Sequence, residues 1–150
     1  MSADRILPSP LPRPMTGDSD MLLEVRTWRL ESLWVLRLLG ELDAFTAPRV
    51  RVTLDEVADA HRELRLIVDL TQLTFMASTG VGLLLEVRDW VGERGGHLIV
   101  ILTPDSRPRR LFDLTRMADH FEVVESLREA VYALRQIERA PEGNETDEMP

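Results

Sequence analysis

Three features of the sequence predict an α/β domain, with a mixed four- to five-stranded sheet covered by about four helices. Two short runs, Leu64 to Leu70 and Leu98 to Leu102, are apolar almost throughout, as strands buried on both faces are. Segments with apolar residues at helical spacing alternate with these runs. Ahead of both lies a pair of alternating segments joined by a two-residue link, which reads as a hairpin.

The hairpin comes first. Leu23 and Val25 alternate with Glu24 and Arg26, giving a strand with one wet face. Trp34, Leu36 and Leu38 then alternate with Val35, Arg37 and Leu39. Glu31-Ser32 makes the link, and Gly40 is expected to end the second strand. Thr46 can cap a helix with Pro48 in its first turn, where a missing N–H does no harm. Val50, Leu54, Val57 and Ala58 follow on one face.

The buried run around Leu66, Ile67 and Val68 follows. Phe75 to Gly82 is expected to turn into a second helix carrying Val81, Leu83, Leu84, Leu85, Val87 and Trp90, stopped by Gly95-Gly96. After the Leu98 to Leu102 strand, Thr103-Pro104-Asp105 opens a short helix with Leu111, Phe112 and Leu114. Phe121, Val123 and Val124 form a short strand. Ser126-Leu127-Arg128-Glu129 has the capping-box pattern, and Leu127, Ala130, Val131, Leu134 and Ile137 line the last helix. The order is therefore β-β-α-β-α-β-α-β-α.

The domain is expected over residues 21–139. Residues 1–20, with Pro8, Pro10, Pro12 and Pro14, read as a disordered leader and not as a signal peptide. Residues 140–150, with Glu142, Glu145, Asp147 and Glu148, read as a solvated acidic tail.

Composition narrows the function. The 150 residues are 44% hydrophobic and 29% charged, enough apolar material for one core. There is no cysteine, so disulfides, thiolate nucleophiles and cysteine metal sites are excluded, and a cytoplasmic location fits. The net charge of −8 makes nucleic acid and anionic membranes poor partners, and no stretch is apolar enough to span a bilayer. All 18 basic residues are arginine, which removes Schiff-base lysines and a Walker-type phosphate lysine.

Catalysis finds no support. His61, His97 and His120 stand on separate elements without metal-ligand spacing, and no Gly-x-Ser-x-Gly elbow occurs. Asp69 ends a strand as a catalytic carboxylate would, but no His or Lys beside it completes a set, and satisfying backbone donors is its expected task. No metal site and no cofactor is expected.

The informative stretch runs from Asp69 to Leu85, where a buried strand leads into a helix opening with Ser78, Thr79 and Gly80. Helix N-termini leave N–H groups unpaired and carry partial positive charge, so a hydroxyl there is open to modification and a phosphate on it finds donors. Gly80 and Gly82 leave room for the close approach of another protein. Ser78 also fits a simple N-cap.

This stretch resembles the signature of the STAS domain family (sulfate transporter and anti-sigma factor antagonist), which reads Phe-Met-Asp-Ser-Ser-Gly-x-Gly at this place. Gly40-Glu41-Leu42-Asp43 with Thr46-Ala47, Gly95-Gly96-His97, and Pro104 with Arg110-Leu111-Phe112-Asp113-Leu114 resemble other family stretches in the family's order, over residues 22–138. The departure is Ala77, where the family carries an acidic residue.

The resemblance implies a single STAS-like domain. Its bacterial members bind an anti-sigma factor that is also an ATPase-type serine kinase, and so release a sigma factor. Phosphorylation breaks the complex and a phosphatase restores it. The phosphorylated position maps to Ser78, with Thr79 as the second hydroxyl. The implied partner surface comprises Glu41, Asp43, Thr46, Met76, Ala77, Ser78, Thr79, Gly80 and Gly82. Apart from the resemblance, the charge of Arg109 and Arg110 suits pairing with a partner's carboxylates or a plain solvated helix surface. Two other readings stand beside it. One is a STAS scaffold without a phosphoswitch in a signalling or lipid-transport assembly. The other is a module holding a nucleotide phosphate at the Ser78–Gly82 helix start. Oligomeric state stays open.

Overall fold

The computed structural model describes residues 22–58 and 63–139. The expected tails and His61 lie outside the described residues. The chain runs β1 (Leu23–Leu30), β2 (Leu33–Leu42), α1 (Ala47–Ala58), β3 (Arg65–Met76), α2 (Ser78–Glu93), β4 (His97–Ile101), α3 (Arg107–Leu114), a 3-10 turn (Met117–His120), β5 (Glu122–Val124) and α4 (Leu127–Arg139). This is the predicted order.

The strands form one sheet in sequence order. β1 and β2 pair antiparallel through the Glu31-Ser32 turn, and β2 to β5 pair parallel. Alternation along the strands sorts the core into two clusters. Leu36, Leu38, Leu66, Val68, Leu70 and Val100 share the larger cluster with Val50 and Leu54 of α1, Val81, Leu84 and Val87 of α2, and Phe112 of α3. Val35, Ile67, Ile99 and Ile101 share the other with Ala130 and Leu134 of α4. A sheet covered on both sides explains why its central strands are apolar at successive positions.

Three boundaries differ from the sequence reading. Gly40 does not end β2. It sits inside the strand at φ 111° beside a register shift, where a side chain would run into the Leu22 carbonyl oxygen, so glycine is required. β3 does not stop at Leu70 but continues to Met76 against the far end of β2, pairing Glu41 with Phe75 and Leu42 with Met76. α3 begins at Arg107, later than Thr103-Pro104-Asp105 suggests, because the Ser106 hydroxyl accepts from the Arg109 N–H at 3.2 Å.

Smaller details show what holds the frame. Asp69 is 3% exposed. It pairs with Arg37 across β2 and β3 at 2.9 Å, and its other oxygen accepts from the Thr71 N–H and hydroxyl at 2.9 and 2.6 Å. The Arg37 guanidinium also lies over the Trp28 ring. Satisfying a backbone donor was the sequence expectation for Asp69, and the ion pair is added by the fold. At the start of α4 the Glu129 N–H bonds the Ser126 hydroxyl at 3.2 Å, but the Glu129 carboxylate reaches the N–H of Glu125, one residue before the capping-box position.

Candidate functional site

The C-terminal ends of β2 and β3 bring two helix starts side by side. β2 ends at Leu42 and leads through Asp43–Thr46 into α1. β3 ends at Met76 and leads through Ala77 alone into α2. The Ala77 N–H donates to the Leu42 carbonyl at 2.9 Å and ties the two starts together.

The first start is closed by side chains. The Asp43 carboxylate accepts from the backbone N–H groups of Phe45 and Thr46 at 3.0 and 3.1 Å. The Thr46 hydroxyl accepts from the Asp43 N–H at 2.9 Å and donates to the Glu41 carbonyl at 3.0 Å. Thr46 has no exposed surface.

The second start is open. Ala77 holds the N-cap position in an extended conformation with no side-chain cap, and the first turn of α2 carries no acidic residue. The Gly80 N–H bonds the Ala77 carbonyl at 2.8 Å. Ser78 is thus the first helical residue and not the N-cap, which removes the capping role the sequence allowed it. Ser78 and Thr79 are both exposed.

The remaining candidates divide by burial. Glu41, Asp43 and Ala77 are half-buried at the rim, and Gly82 is exposed with open space where a side chain would be. Thr46, Met76 and Gly80 are buried in the free domain, so they shape the rim from beneath it. A side chain on Gly80 would press on Leu42 at 3.0 Å and Met76 at 3.2 Å, so this glycine lets α2 pack on the strand ends. Arg109 is engaged within α3 by Asp113 at 3.4 Å, whereas Arg110 is exposed.

Two aromatic residues that sequence reading passed over stand on the same rim. Phe45, between Asp43 and Thr46, is 80% exposed, and Phe75, opposite Glu41, is 41% exposed. Phe75 also lines a shallow depression with Glu41, Leu73, Thr74, Ser106 and Arg107, which joins the start of α3 to the rim. For Phe45 the available signal was a phenylalanine in a short polar turn, where burial by neighbours is not guaranteed, whereas Phe75 lies within β3 and gave no such signal.

Among the described residues no group of three or more His, Asp or Glu side chains could hold a metal ion, and no helix is long and apolar enough to cross a membrane. His97 and His120 are exposed on separate elements. The site offers two free hydroxyls, an uncapped helix N-terminus and two exposed aromatics on a braced frame, which suits docking and modification.

Comparison with known proteins agrees with this architecture. An anti-sigma-B factor antagonist of Listeria monocytogenes is 36% identical over 84 residues, covering 56% of this chain and 72% of the relative. An anti-sigma F factor antagonist of Paenibacillus polymyxa is 28% identical over 120 residues, covering 79% and 97%. The fold matches the anti-sigma factor antagonist SpoIIAA in its unphosphorylated form, with a TM-score of 0.63 at 23% identity over 76% of this chain and 98% of that one. It also matches Bacillus SpoIIAA in the phosphorylated form, with a TM-score of 0.55 at 24% identity over 75% and 99%. The family model described as the STAS domain matches residues 25–130, and the chain belongs to the STAS domain family.

Proposed function

We propose that this chain is an anti-sigma factor antagonist, a protein-binding switch of the cytoplasm and not an enzyme. On this reading it docks through the Asp43–Thr46 and Ala77–Gly82 rim onto an anti-sigma factor that is also an ATPase-type serine kinase. Phosphorylation at Ser78 ends the docking, and a phosphatase reverses it. The observation that carries the reading is the exposed Ser78 hydroxyl at the first position of an uncapped 16-residue helix. The names of the Listeria and Paenibacillus relatives, and the two solved states of SpoIIAA, support it.

The same geometry explains why one phosphate acts as a switch. A phosphoserine adds about −1.5 to −2 charge. In the free domain that charge lies at the positive end of α2 beside unpaired N–H groups, so the fold accommodates it. Inside a packed interface the same charge loses its water without gaining comparable partners. A penalty of about 3 kcal/mol corresponds to roughly 100-fold in affinity.

Incubation with the partner kinase and ATP, followed by mass spectrometry, is expected to place phosphate on Ser78, with Thr79 as the second choice. Ser78→Asp is expected to weaken recovery of the anti-sigma factor about 100-fold while Ser78→Ala retains it. Equal recovery by Ser78→Asp and wild type would remove the switch.

Ala77 favours a second reading, a STAS scaffold that binds without being switched, because no carboxylate stands beside the hydroxyl to orient it or to meet a kinase. Recovery of other STAS proteins without any kinase-type partner distinguishes that reading.

A further inference from the structure

Most of the arginines whose side chains are described are engaged. Arg26, Arg51, Arg65, Arg88, Arg109 and Arg135 each pair with a carboxylate, and Arg37 pairs with Asp69. Arg29 and Arg94 bond backbone carbonyls, and Arg49 also has a partner. Among the described residues, Arg107, Arg110, Arg116 and Arg128 have side chains with no hydrogen bond, ion pair or ring contact. Three of these four fall on α3 and the turn that follows it.

These three are exposed, and a fourth residue joins them. Leu114 is 80% exposed, while Phe112 on the same helix has no exposed surface. Arg107, Arg110 and Leu114 are spaced i, i+3 and i+7, so they form one stripe about 10 Å long on the outer face. Arg116 follows in the left-handed region at φ 61°. Glycine or asparagine adopts that conformation at lower cost, so backbone stability does not explain an arginine there. Between Asp105 and Asp119 the only acid is Asp113, and Arg109 engages it.

We propose that the Arg107–Arg110–Leu114–Arg116 stripe is a docking surface for an acidic segment of another protein, one that carries an apolar side chain able to cover Leu114. Free guanidiniums grip carboxylates in a planar two-bond geometry, and an exposed leucine among them supplies apolar contact that a purely ionic ligand would leave unused. The acidic body selects the size of the occupant. The chain carries −8 overall, so a long polyanion such as DNA or an anionic bilayer would meet repulsion as soon as it extended past the stripe. A short acidic segment stays within about one Debye length, roughly 10 Å at 0.1 M salt, of the local positive charge. Arg107 also lines the depression that reaches Glu41 and Phe75 on the rim, but Ser78 does not line it, and binding at the stripe does not depend on phosphorylation of Ser78.

Fluorescence anisotropy with the full chain tests this. The probe is a labelled 14-residue peptide of Glu, Leu and Ala with glutamates at i, i+3 and i+7 and one leucine between them. The comparison ligands are the same peptide with Gln for Glu, a double-stranded DNA 14-mer, and phosphatidylglycerol vesicles. Binding of the acidic peptide is expected to weaken at least tenfold in R107E/R110E/R116E and about threefold in L114A. It is expected to fall between 50 and 300 mM salt, and to change less than twofold in R128E, the free arginine off the stripe, and in S78D. The milder R107Q/R110Q/R116Q variant gives the same direction if charge reversal disturbs folding. Equal binding of the acidic peptide by wild type and both triple variants, equal binding of the Gln peptide, or tighter binding of the DNA or the vesicles would each overturn the proposal.

Discussion

The two helix starts on the rim are built from similar material and end in opposite states. α1 begins behind Asp43 and Thr46, whose side chains take up the local N–H groups and leave Thr46 fully buried. α2 begins behind Ala77, which has nothing to offer as a cap, and its first two side chains stand in solvent. The Ala77 N–H to Leu42 carbonyl bond fastens the open start to the closed one. The lesson is a division of labour. One turn is rigid because its polar groups are satisfied internally. Its neighbour keeps unpaired donors and hydroxyls for something from outside, and is held in place by the first.

Substitutions at the two starts should therefore differ in sign as well as size. The largest change is expected at the closed start. Thr46→Val keeps the shape but leaves the Asp43 N–H and the Glu41 carbonyl without their partner in a buried place. It should cost about 2–3 kcal/mol, read as a lowered urea midpoint with unchanged slope. A loss under about 0.5 kcal/mol would mean that the hydroxyl does not hold the turn. Next comes the open start. Ala77→Asp supplies the missing cap and a negative charge at the positive helix end, and should stabilise by about 1 kcal/mol in the same titration. Destabilisation would show that the extended Ala77 backbone does not serve as an N-cap. The smallest change belongs to Ser78→Ala. Its exposed hydroxyl caps nothing, so stability should stay within about 0.5 kcal/mol of wild type.

Much of the frame was legible in the residues because each local signal had one reading. Apolar runs at Leu64 to Leu70 and Leu98 to Leu102 had to be buried strands. The heptad-like spacing of Leu127, Ala130, Leu134 and Ile137 had to be a helix face, and that face now covers Val35, Ile67 and Ile99. The site was legible only in part. Phe-Met-Ala-Ser-Thr-Gly marks a strand passing into a helix, yet the spacing does not say whether the serine precedes the helix or opens it. That depends on where β3 stops, and β3 stops where β2 ceases to pair with it. Gly80 shows the same limit. Its place in the sequence suggests room for a partner, whereas Leu42 and Met76 of this same domain occupy that room.

The sequence by itself determined the order of the elements, the two-faced burial of the central strands and the presence of hydroxyls at a helix start, because periodicity, turn residues and caps act over a few neighbouring positions. Tertiary structure alone decided that Asp69 meets Arg37 and that β2 continues through Gly40. It also decided that the start of α2 is fastened to the end of β2, and that three arginines on α3 and the turn after it find no acid. Each of these depends on pairing between residues far apart in the chain, where strand register chooses the neighbour.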